Sequence, residues 1–189
     1  MRTTTGKAKT LSDAQQRAAL AVLSSPRDRA MLLLSTKAAL RAVEIAGLRW
    51  HHIHENEIEL TSDITKGAKA RTVPLNADLK AALLAYKQAA QPQSDSEALF
   101  PNRHLKGRPV SANAVAAWFR YVYCVKLGWQ GHSSHSGRRT AITAMARKVS
   151  AAGGSLRDVQ DIAGHSRLDT TQRYIEVSSD ARRRVVDMI

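Results

Sequence analysis

The chain has 189 residues and a formal net charge of +13. Hydrophobic residues make up 43% of it and charged residues 24%, which is typical of a globular protein and excludes a disordered chain or a collagen-like repeat. The length predicts one folded domain. The longest strongly apolar run, residues 30–34, is far shorter than the roughly 20 residues of a membrane-spanning helix. The one cysteine, Cys124, has no partner within the chain, which favours the reducing cytoplasm.

The positive charge is concentrated in one part of the chain. Residues 101–150 carry nine basic side chains and no acidic one, whereas residues 151–189 have a net charge of zero. Such a segment repels itself unless a polyanion neutralises it, and nucleic acid is the commonest such partner. A basic surface that serves only solubility more often mixes both signs of charge. We therefore expect nucleic-acid contacts from this segment, at Arg103, Lys106, Arg108, Arg120, Lys126 and Arg139.

The N-terminal part is predicted to be helical. Ser12 followed by Gln15 is typical of a capping box that opens a first helix. Ser25 and the proline after it indicate the start of a second helix, which we extend to about Leu40. A third, short helix is expected at 42–48.

A strand pattern follows at residues 56–75. Ile58 and Leu60 alternate with glutamates, which is the period of two expected for a strand with one buried face. A basic, turn-like stretch around Lys66 precedes a second strand at 71–75. The pattern predicts a β-hairpin with Lys66 near its tip.

The remainder of the chain is predicted to be helical, with serine, asparagine or aspartate at most of the helix starts. The expected helices are 77–89 after Asn76, Ser111 to about Leu127, 136–151, 156–163 after Ser155, a short helix capped by Asp169 that carries Tyr174, and 180–188 after Ser179. The predicted fold class is mainly α with a small antiparallel β-sheet (α+β).

The sequence predicts neither a metal nor a cofactor. It contains no P-loop glycine pattern, no paired cysteines and no His-Glu-x-x-His. Three clustered histidines, His51, His52 and His54, are better explained as surface residues after a helix than as metal ligands. Because the basic segment lacks carboxylates that could hold Mg²⁺, a two-metal nuclease is disfavoured.

Phosphodiester chemistry without a metal needs fixed cations, an activated nucleophile and a proton donor for the leaving oxygen. Arginine suits the first requirement because its planar fork binds phosphate through two N–H groups. His135 and Arg138 lie three residues apart at a predicted helix start, and Arg41 lies one turn from Glu44. Each pair alone is also typical of an ordinary basic surface.

Four stretches in order resemble the catalytic domain of the tyrosine recombinases, the phage integrase family, over about residues 11–185. They are 39–50 with Arg41 and its acidic companion Glu44, Thr65-Lys66-Gly67 followed by Arg71-Thr72-Val73-Pro74-Leu75, His135 to Thr140, and Gly164-His165 with Tyr174 nine residues after the histidine.

The resemblance implies a nucleophile and an anion clamp. Tyr174 would attack the scissile phosphate, form a 3′-phosphotyrosine and release a 5′-hydroxyl. Arg41 and Arg138 would bind the nonbridging oxygens and neutralise the charge that grows in the transition state. Because the covalent link conserves the bond energy, rejoining would need neither ATP nor metal.

The resemblance also implies proton carriers. His135 would hydrogen-bond the phosphate or take up the tyrosine proton, and His165 would add a further hydrogen bond. Lys66 would protonate the leaving 5′-oxygen. His132 is an alternative to His135, but no arginine follows it at the third position.

Three residues depart from the family pattern. Ala39 replaces a usual glycine, and Gly137 and Arg139 stand where leucine and histidine are usual. A glycine inside a helix start predicts a looser turn or a later beginning. Tyr121 and Tyr123 are alternatives to Tyr174, although their helix is better explained as core or as DNA-facing surface.

The resemblance predicts one domain and one assembly. Residues 1–10 are expected to be a flexible basic arm, and residues 11–189 a single catalytic domain. Most relatives carry a separate helical domain before the catalytic one. Because only about 40 residues precede Arg41, we expect this domain to be missing, either because the chain is a naturally short member or because it is an excised domain. The C-terminal segment, residues 179–189, is expected to dock on a neighbouring protomer.

The expected partners are double-stranded DNA, further copies of the chain in a tetramer on DNA, and accessory DNA-bending proteins, all at the nucleoid in the cytoplasm. Two alternatives stay open. One is a catalytically silent DNA-binding regulator of the same fold, and the other is a DNA-relaxing enzyme like the type IB topoisomerases.

Overall fold

The computed structural model describes residues 8–65, 69–105, 107–174 and Asp187. Lys66, Lys106 and the predicted C-terminal helix lie outside these described residues, apart from Asp187. The helices are α1 (Asp13–Ala21), α2 (Pro26–Thr36), α3 (Ala42–Gly47), α4 (Ala77–Ala90), α5 (Ala112–Arg120), α6 (Ser134–Lys148), α7 (Leu156–Ala163) and α8 (Leu168–Gln172). Short 3₁₀ turns lie at Trp50–His52 and Ser150–Ala152, and α5 continues as a π-helix over Tyr121–Lys126.

The fold class is mainly α with one two-stranded antiparallel sheet, as the sequence predicts. Strand β1 (Glu57–Leu60) pairs with strand β2 (Arg71–Pro74), with Ile58 opposite Val73 and Leu60 opposite Arg71. Ile58, Leu60 and Val73 are all buried, so the alternation in the sequence marks the core face. The hairpin prediction is confirmed for its strands.

Most predicted helix starts are confirmed because their caps are local. The Ser12 side chain accepts a hydrogen bond from the Gln15 N–H, and the Gln15 side chain accepts one from the Ser12 N–H. Ser155 and Asp158 form the same reciprocal arrangement at the start of α7. Each cap satisfies backbone donors that the first helical turn leaves unpaired.

Helix α2 ends at Thr36, so the predicted extension to Leu40 is wrong. The backbone turns at Ala39, which has a φ of 56°, and the Leu40 N–H donates to the Leu34 carbonyl at 3.1 Å. The apolar residues after the helix are buried in this turn rather than in a helix. The turn places Arg41 at the N-cap of α3, directly before its first residue.

Helix α6 begins at Ser134, two residues before the predicted start, because Ser133 caps it and accepts from the His135 N–H. Gly137 is therefore buried inside the helix. A Cβ there would lie 2.4 Å from Ser35 Oγ and 3.0 Å from Thr36 Cγ2. The expectation of a looser or later turn is wrong, since the glycine allows α2 to pack closely on α6.

Helix α8 is preceded by Arg167 and ends at Gln172, so the predicted cap at Asp169 is wrong. Asp169 lies in the first turn, where its negative charge complements the helix dipole. Tyr174 lies just beyond the helix rather than inside it, and its N–H donates to the Thr171 carbonyl at 3.0 Å.

The buried residues form a large main core and a smaller second cluster. The second cluster consists of Ala39, Ala141, Ile142, Val159 and Ala163, which join the α2–α3 turn to α6 and α7. The ring of Tyr174 packs against this cluster. Within the described ranges, no helix combines the length and apolar character that crossing a membrane requires.

Candidate active site

Three arginines from three different parts of the chain meet at the C-terminal end of α7. The arginine cluster consists of Arg41, Arg71 and Arg138 together with the carboxylate of Glu44. Its guanidiniums donate to successive backbone carbonyls: Arg71 Nε to Ile162 O at 3.0 Å, Arg138 Nη2 to Ala163 O at 2.7 Å, and Arg41 Nη2 to Gly164 O at 3.2 Å. The last carbonyls of a helix lack intrahelical donors and form its negative end, so they favour cations.

Arg138 is the most buried of the predicted anion ligands, with 4% of its surface exposed. Its second guanidinium nitrogen, Nη1, donates to the Ala39 carbonyl, which the turn after α2 presents. Burial lowers the pKa of Arg138 to about 10, with a contribution from the positive charge of Arg41. The side chain therefore stays protonated at neutral pH, and donors remain on a fork that has five N–H groups.

Arg41 is held by Glu44, which has no exposed surface. Arg41 Nη1 donates to Glu44 Oε1 and the Arg41 backbone N–H donates to Oε2, both at 2.8 Å. Burial alone would raise the pKa of the Glu44 carboxyl, but the hydrogen bonds and charges of Arg71 and Arg41 outweigh burial, so the pKa is lower than usual. Glu44 is thus an anion at neutral pH, and the side chain of Arg41 remains 20% exposed.

His165 follows the arginine-bound carbonyls directly in the chain and is 8% exposed. Its Nδ1 lies 2.9 Å from Thr171 Oγ1. Burial, together with the nearby charges of Arg138 and Arg41, lowers the pKa of His165 to about 4. The imidazole is therefore neutral at pH 7 and can donate through one ring nitrogen and accept through the other.

Tyr174 lies on the tyrosine segment, residues 168–174. Its ring stacks on the His165 ring, with centroids 5.7 Å apart and planes at 18°. The guanidinium carbon of Arg139 lies 5.7 Å from the centroid of the Tyr174 ring. The side chain is partly exposed, which the predicted role of a nucleophile requires.

The structure brings Arg41, Glu44, Arg138, His165 and Tyr174 together around the end of α7. His135 lies in the first turn of α6, one turn before Arg138, and its side chain is exposed. Lys66 lies outside the described residues, but strand β2, which follows it, reaches the site through Arg71. A cavity of about 280 Å³ between β2 and α7 is lined by residues including Lys69, Arg71 and His165.

The predicted nucleic-acid contacts fall into two groups. Arg103, Arg108 and Arg120 are exposed, as is Lys126, whose Nζ donates to the Val22 carbonyl at 3.3 Å. Arg139 is different, because it is half-buried beside Tyr174 and its Nη1 donates to the Ala8 carbonyl at 2.7 Å. Arg139 therefore lies beside Tyr174 in the candidate active site rather than on the exposed basic surface. Lys106 lies outside the described residues.

The alternative site residues lie elsewhere. His132 is buried and packs beside the rings of Tyr123 and Trp129. Tyr123 has no exposed surface, and burial raises its pKa, so both side chains belong to the core. Tyr121 is half-exposed on the π-helix.

The three clustered histidines have separate partners. His52 Nδ1 accepts from the Arg49 N–H, His51 Nδ1 lies near the Asp95 carbonyl, and His54 Nε2 lies near the Glu59 carboxylate. Over the part of the chain that the structure describes, no three histidine, cysteine or acidic side chains converge as metal ligands.

The sequence reasoning missed Arg71 and Thr171 as members of the site. A signal for Arg71 was present, since it is in phase with the buried Val73 and therefore lies on the core face of β2. A charged residue on a core face needs a buried partner. Thr171 had no comparable signal, because its contact with His165 depends on how α8 folds back.

A family model described as the phage integrase family matches residues 3–180. Tyrosine recombinase XerC 2 of Ralstonia nicotianae is 34% identical over 165 residues, which are 85% of this chain and 46% of that protein. Tyrosine recombinase XerC of Xylella fastidiosa (strain M23) is 30% identical over 161 residues, which are 85% of this chain and 52% of that protein. The chain spans about half the length of the curated relatives it matches.

Solved structures share the fold. XerA recombinase is similar with a TM-score of 0.76 at 24% identity, over 98% of this chain and 66% of that one. The Tn1549 transposon integrase in complex with transposon right end DNA is similar with a TM-score of 0.77 at 18% identity, over 100% of this chain and 68% of that one. At these identities the likeness shows the fold alone.

Proposed function

Because the chain belongs to the phage integrase family, we propose that it cleaves and rejoins duplex DNA at specific sites through a covalent bond between Tyr174 and a 3′-phosphate. The observation that carries the proposal is the arrangement around α7. Three consecutive carbonyls hold three arginines, the next residue is His165, and His165 stacks on Tyr174. Fixed cations beside a partly exposed tyrosine are what metal-free attack on a phosphodiester requires.

In the proposed reaction, the Tyr174 oxygen attacks the phosphorus and loses its proton. A bond forms between phosphorus and the tyrosine oxygen, and the bond from phosphorus to the 5′-oxygen breaks. The remaining N–H groups of Arg41 and Arg138 bind the nonbridging oxygens, whose negative charge grows in the transition state. Rejoining is the reverse attack by a 5′-hydroxyl, so no ATP and no metal ion enters the balance.

The histidines and Lys66 carry the protons in this proposal. His165, neutral because of its lowered pKa, offers Nε2 to the phosphate, since Nδ1 is bonded to Thr171. His135, exposed one turn before Arg138, accepts the tyrosine proton or bonds the phosphate. Lys66 donates the proton that the leaving 5′-oxygen takes up.

Double-stranded DNA is the proposed substrate, because the chain belongs to the phage integrase family and its acid-free segment, residues 101–150, exposes Arg103, Arg108 and Arg120. We further propose that four protomers act on two duplexes in the cytoplasm, with accessory DNA-bending proteins, and that residues 179–189 dock on a neighbouring protomer. Deleting this segment should weaken the pairing of two sites more than the binding of one.

The test is the formation of a covalent protein–DNA complex in EDTA and without ATP. Genomic DNA of the source organism, sheared and lightly nicked with DNase I, serves as the substrate pool, because a nick beside the cleavage point lets the broken strand diffuse away and traps the complex. SDS-resistant complexes are expected with the wild-type chain and with Tyr121→Phe, which alters an exposed tyrosine on the π-helix. They should be absent with Tyr174→Phe.

Complexes that persist in Tyr174→Phe would contradict the assigned nucleophile. Specific binding of DNA fragments without any covalent complex would favour a silent regulator. Relaxation of supercoiled DNA without exchange between two sites would favour the topoisomerase-like activity. Sequencing the trapped fragments identifies the site for synthetic nicked duplexes.

A further inference from the structure

Strand β2 places a charged side chain on its buried face. Arg71 lies opposite Leu60 and in phase with Val73, both of which are buried. Only 10% of the Arg71 side chain is exposed. A guanidinium in such a position is costly unless every charge is paired, so its partners indicate why it is there.

The partner of Arg71 is the same carboxylate that holds Arg41. Arg71 Nη1 and Nη2 donate to Glu44 Oε1 and Oε2, each at 3.0 Å, in a two-pronged ion pair. Arg41 donates to the same two oxygens through its Nη1 and its backbone N–H. Each carboxylate oxygen of Glu44 thus accepts two hydrogen bonds, one from Arg41 and one from Arg71.

A second observation is that the residue directly after α7 leaves space for Arg71. Gly164 has a φ of 61°, and a Cβ on it would lie 2.8 Å from Arg71 Nη1 and 2.9 Å from Cζ. Any other residue at 164 would therefore collide with the guanidinium. The glycine directly before His165 makes room for Arg71, and Arg71 Nε in turn binds the Ile162 carbonyl at 3.0 Å.

The charge balance indicates what this arrangement does. With Arg41 as its only partner, the buried carboxylate would neutralise the guanidinium that the phosphate needs. Arg71 supplies a second positive charge, so that Arg41 can be oriented by Glu44 and still offer net positive charge to an anion. The same side chain also joins β2 to the Ile162 carbonyl, and the next two carbonyls of the chain hold Arg138 and Arg41.

We propose that Arg71 is a positioning residue for DNA cleavage: its ion pair with Glu44 and its bond to α7 fix Arg41 and leave the charge of Arg41 available to the scissile phosphate. The inference rests on the proposed function. Arg71 acts through Glu44 and is not itself a ligand of the phosphate.

The experiment measures single-turnover cleavage of a synthetic nicked duplex that carries the site identified by sequencing the trapped DNA fragments. Arg71→Gln should slow cleavage by about 10- to 100-fold, by analogy with the partners that orient the ligands of a metal ion, while the Kd for the duplex changes less than about threefold. Arg71→Lys keeps the charge but loses the two-pronged geometry, so its rate should be intermediate. The matched control is Arg27→Gln, which breaks the ion pair between Arg27 and its neighbour Asp28, a pair outside the arginine cluster.

Two readouts separate positioning from a merely structural role. In a Glu44→Gln background, Arg71→Gln should cause a smaller further loss, because residues that act through one another are not additive. On a duplex with a neutral methylphosphonate at the scissile position, the loss should shrink, since that substrate carries one negative charge fewer than the phosphate, both before attack and in the transition state. A folding defect would slow both substrates equally.

Cleavage by Arg71→Gln at the wild-type rate would overturn the proposal, and so would equal losses on the phosphate and the methylphosphonate. If Arg71→Gln does not fold, Arg71→Lys still tests whether the two-pronged pair orients Arg41, and a wild-type rate in that variant would overturn the proposal. A wild-type chain that forms no covalent complex at all would instead contradict the proposed function. The two failures are therefore distinguishable.

Discussion

The arginine cluster and the tyrosine segment are held in opposite ways. Arg138 is buried, and Arg41 and Arg71 are largely buried. They come from the α3 start, β2 and α6; Arg41 and Arg71 pair with Glu44, and all three donate to carbonyls at the end of α7. Tyr174 follows a helix of five residues and is held by a backbone N–H, by ring contacts and by the second apolar cluster. In the proposed reaction, the positive charge is therefore organised before substrate binds, whereas Tyr174, the proposed nucleophile, is held by one backbone hydrogen bond and by ring contacts.

Arg138→Lys should have the largest effect on this comparison, because it removes the fork that joins the Ala39 and Ala163 carbonyls. Losing a preorganised donor for the transition state costs about 10²–10³-fold in rate. Single-turnover cleavage of the nicked duplex measures the loss. Arg157→Lys, on the exposed surface of α7, is the control, and an equal loss in both variants would argue against a special role for the arginine cluster.

Gly137→Ala should destabilise the packing of α6 on α2. Because α6 carries Arg138, this packing also supports the arginine cluster. The added Cβ meets Ser35 Oγ and Thr36 Cγ2, and overpacking of this kind costs about 1–3 kcal/mol in the free energy of unfolding. Denaturant unfolding is the measurement. Ser35→Ala should recover part of the loss, because it removes the nearest atom, which has no hydrogen-bond partner within the described residues. An unchanged stability in Gly137→Ala would show that the two helices can separate freely.

The pH dependence of stability should reveal His165, which joins the two regions. Its pKa is lowered to about 4 in the folded chain, from an ordinary value of 6.5. Between those values the unfolded chain binds more protons, so the free energy of unfolding should fall as the pH drops from 6.5 to about 4. Chemical denaturation across this range measures the slope. His165→Gln should reduce the slope without removing it, because burial also lowers the pKa of His52. An identical slope in that variant would place the titrating group elsewhere.

The smallest effect should come from the exposed basic residues outside both regions. Removing one phosphate-contacting charge reduces the slope of log K against log salt concentration by about one. Arg108→Gln and Arg120→Gln should each do so in binding titrations with the duplex. Arg29→Gln, in a part of the chain with both signs of charge, should leave the slope unchanged. A slope that is also unchanged in Arg108→Gln and Arg120→Gln would remove Arg108 and Arg120 from the DNA contact.

Local features of this fold could be predicted from the sequence, and long-range ones could not. The starts of α1 and α7 depend on Ser12 and Ser155, which bond to residues three positions away or nearer. The end of α2 depends on Ala39, whose carbonyl accepts from Arg138 99 residues later. Gly137 is explained by its close approach to Ser35 and Thr36, which lie on another helix about 100 residues earlier.

The candidate site shows the same division. The order of four short stretches was enough to select Arg41, Arg138, His165 and Tyr174, and the structure brings these four together. Arg71 was missed because its partners, Glu44 and Ile162, lie 27 and 91 residues away. Its phase with Val73 marked it as buried, but nothing in the sequence indicated which carboxylate it would meet.

The most direct test of the account is to map the covalent bond in the trapped complex. The complex formed on the synthetic nicked duplex is digested with trypsin and nuclease, and the modified peptide is identified by mass spectrometry. The account predicts that the peptide containing Tyr174 carries a nucleotide linked through its 3′-phosphate and that the released strand begins with a 5′-hydroxyl. Attachment to any other residue, or a link through a 5′-phosphate, would contradict it.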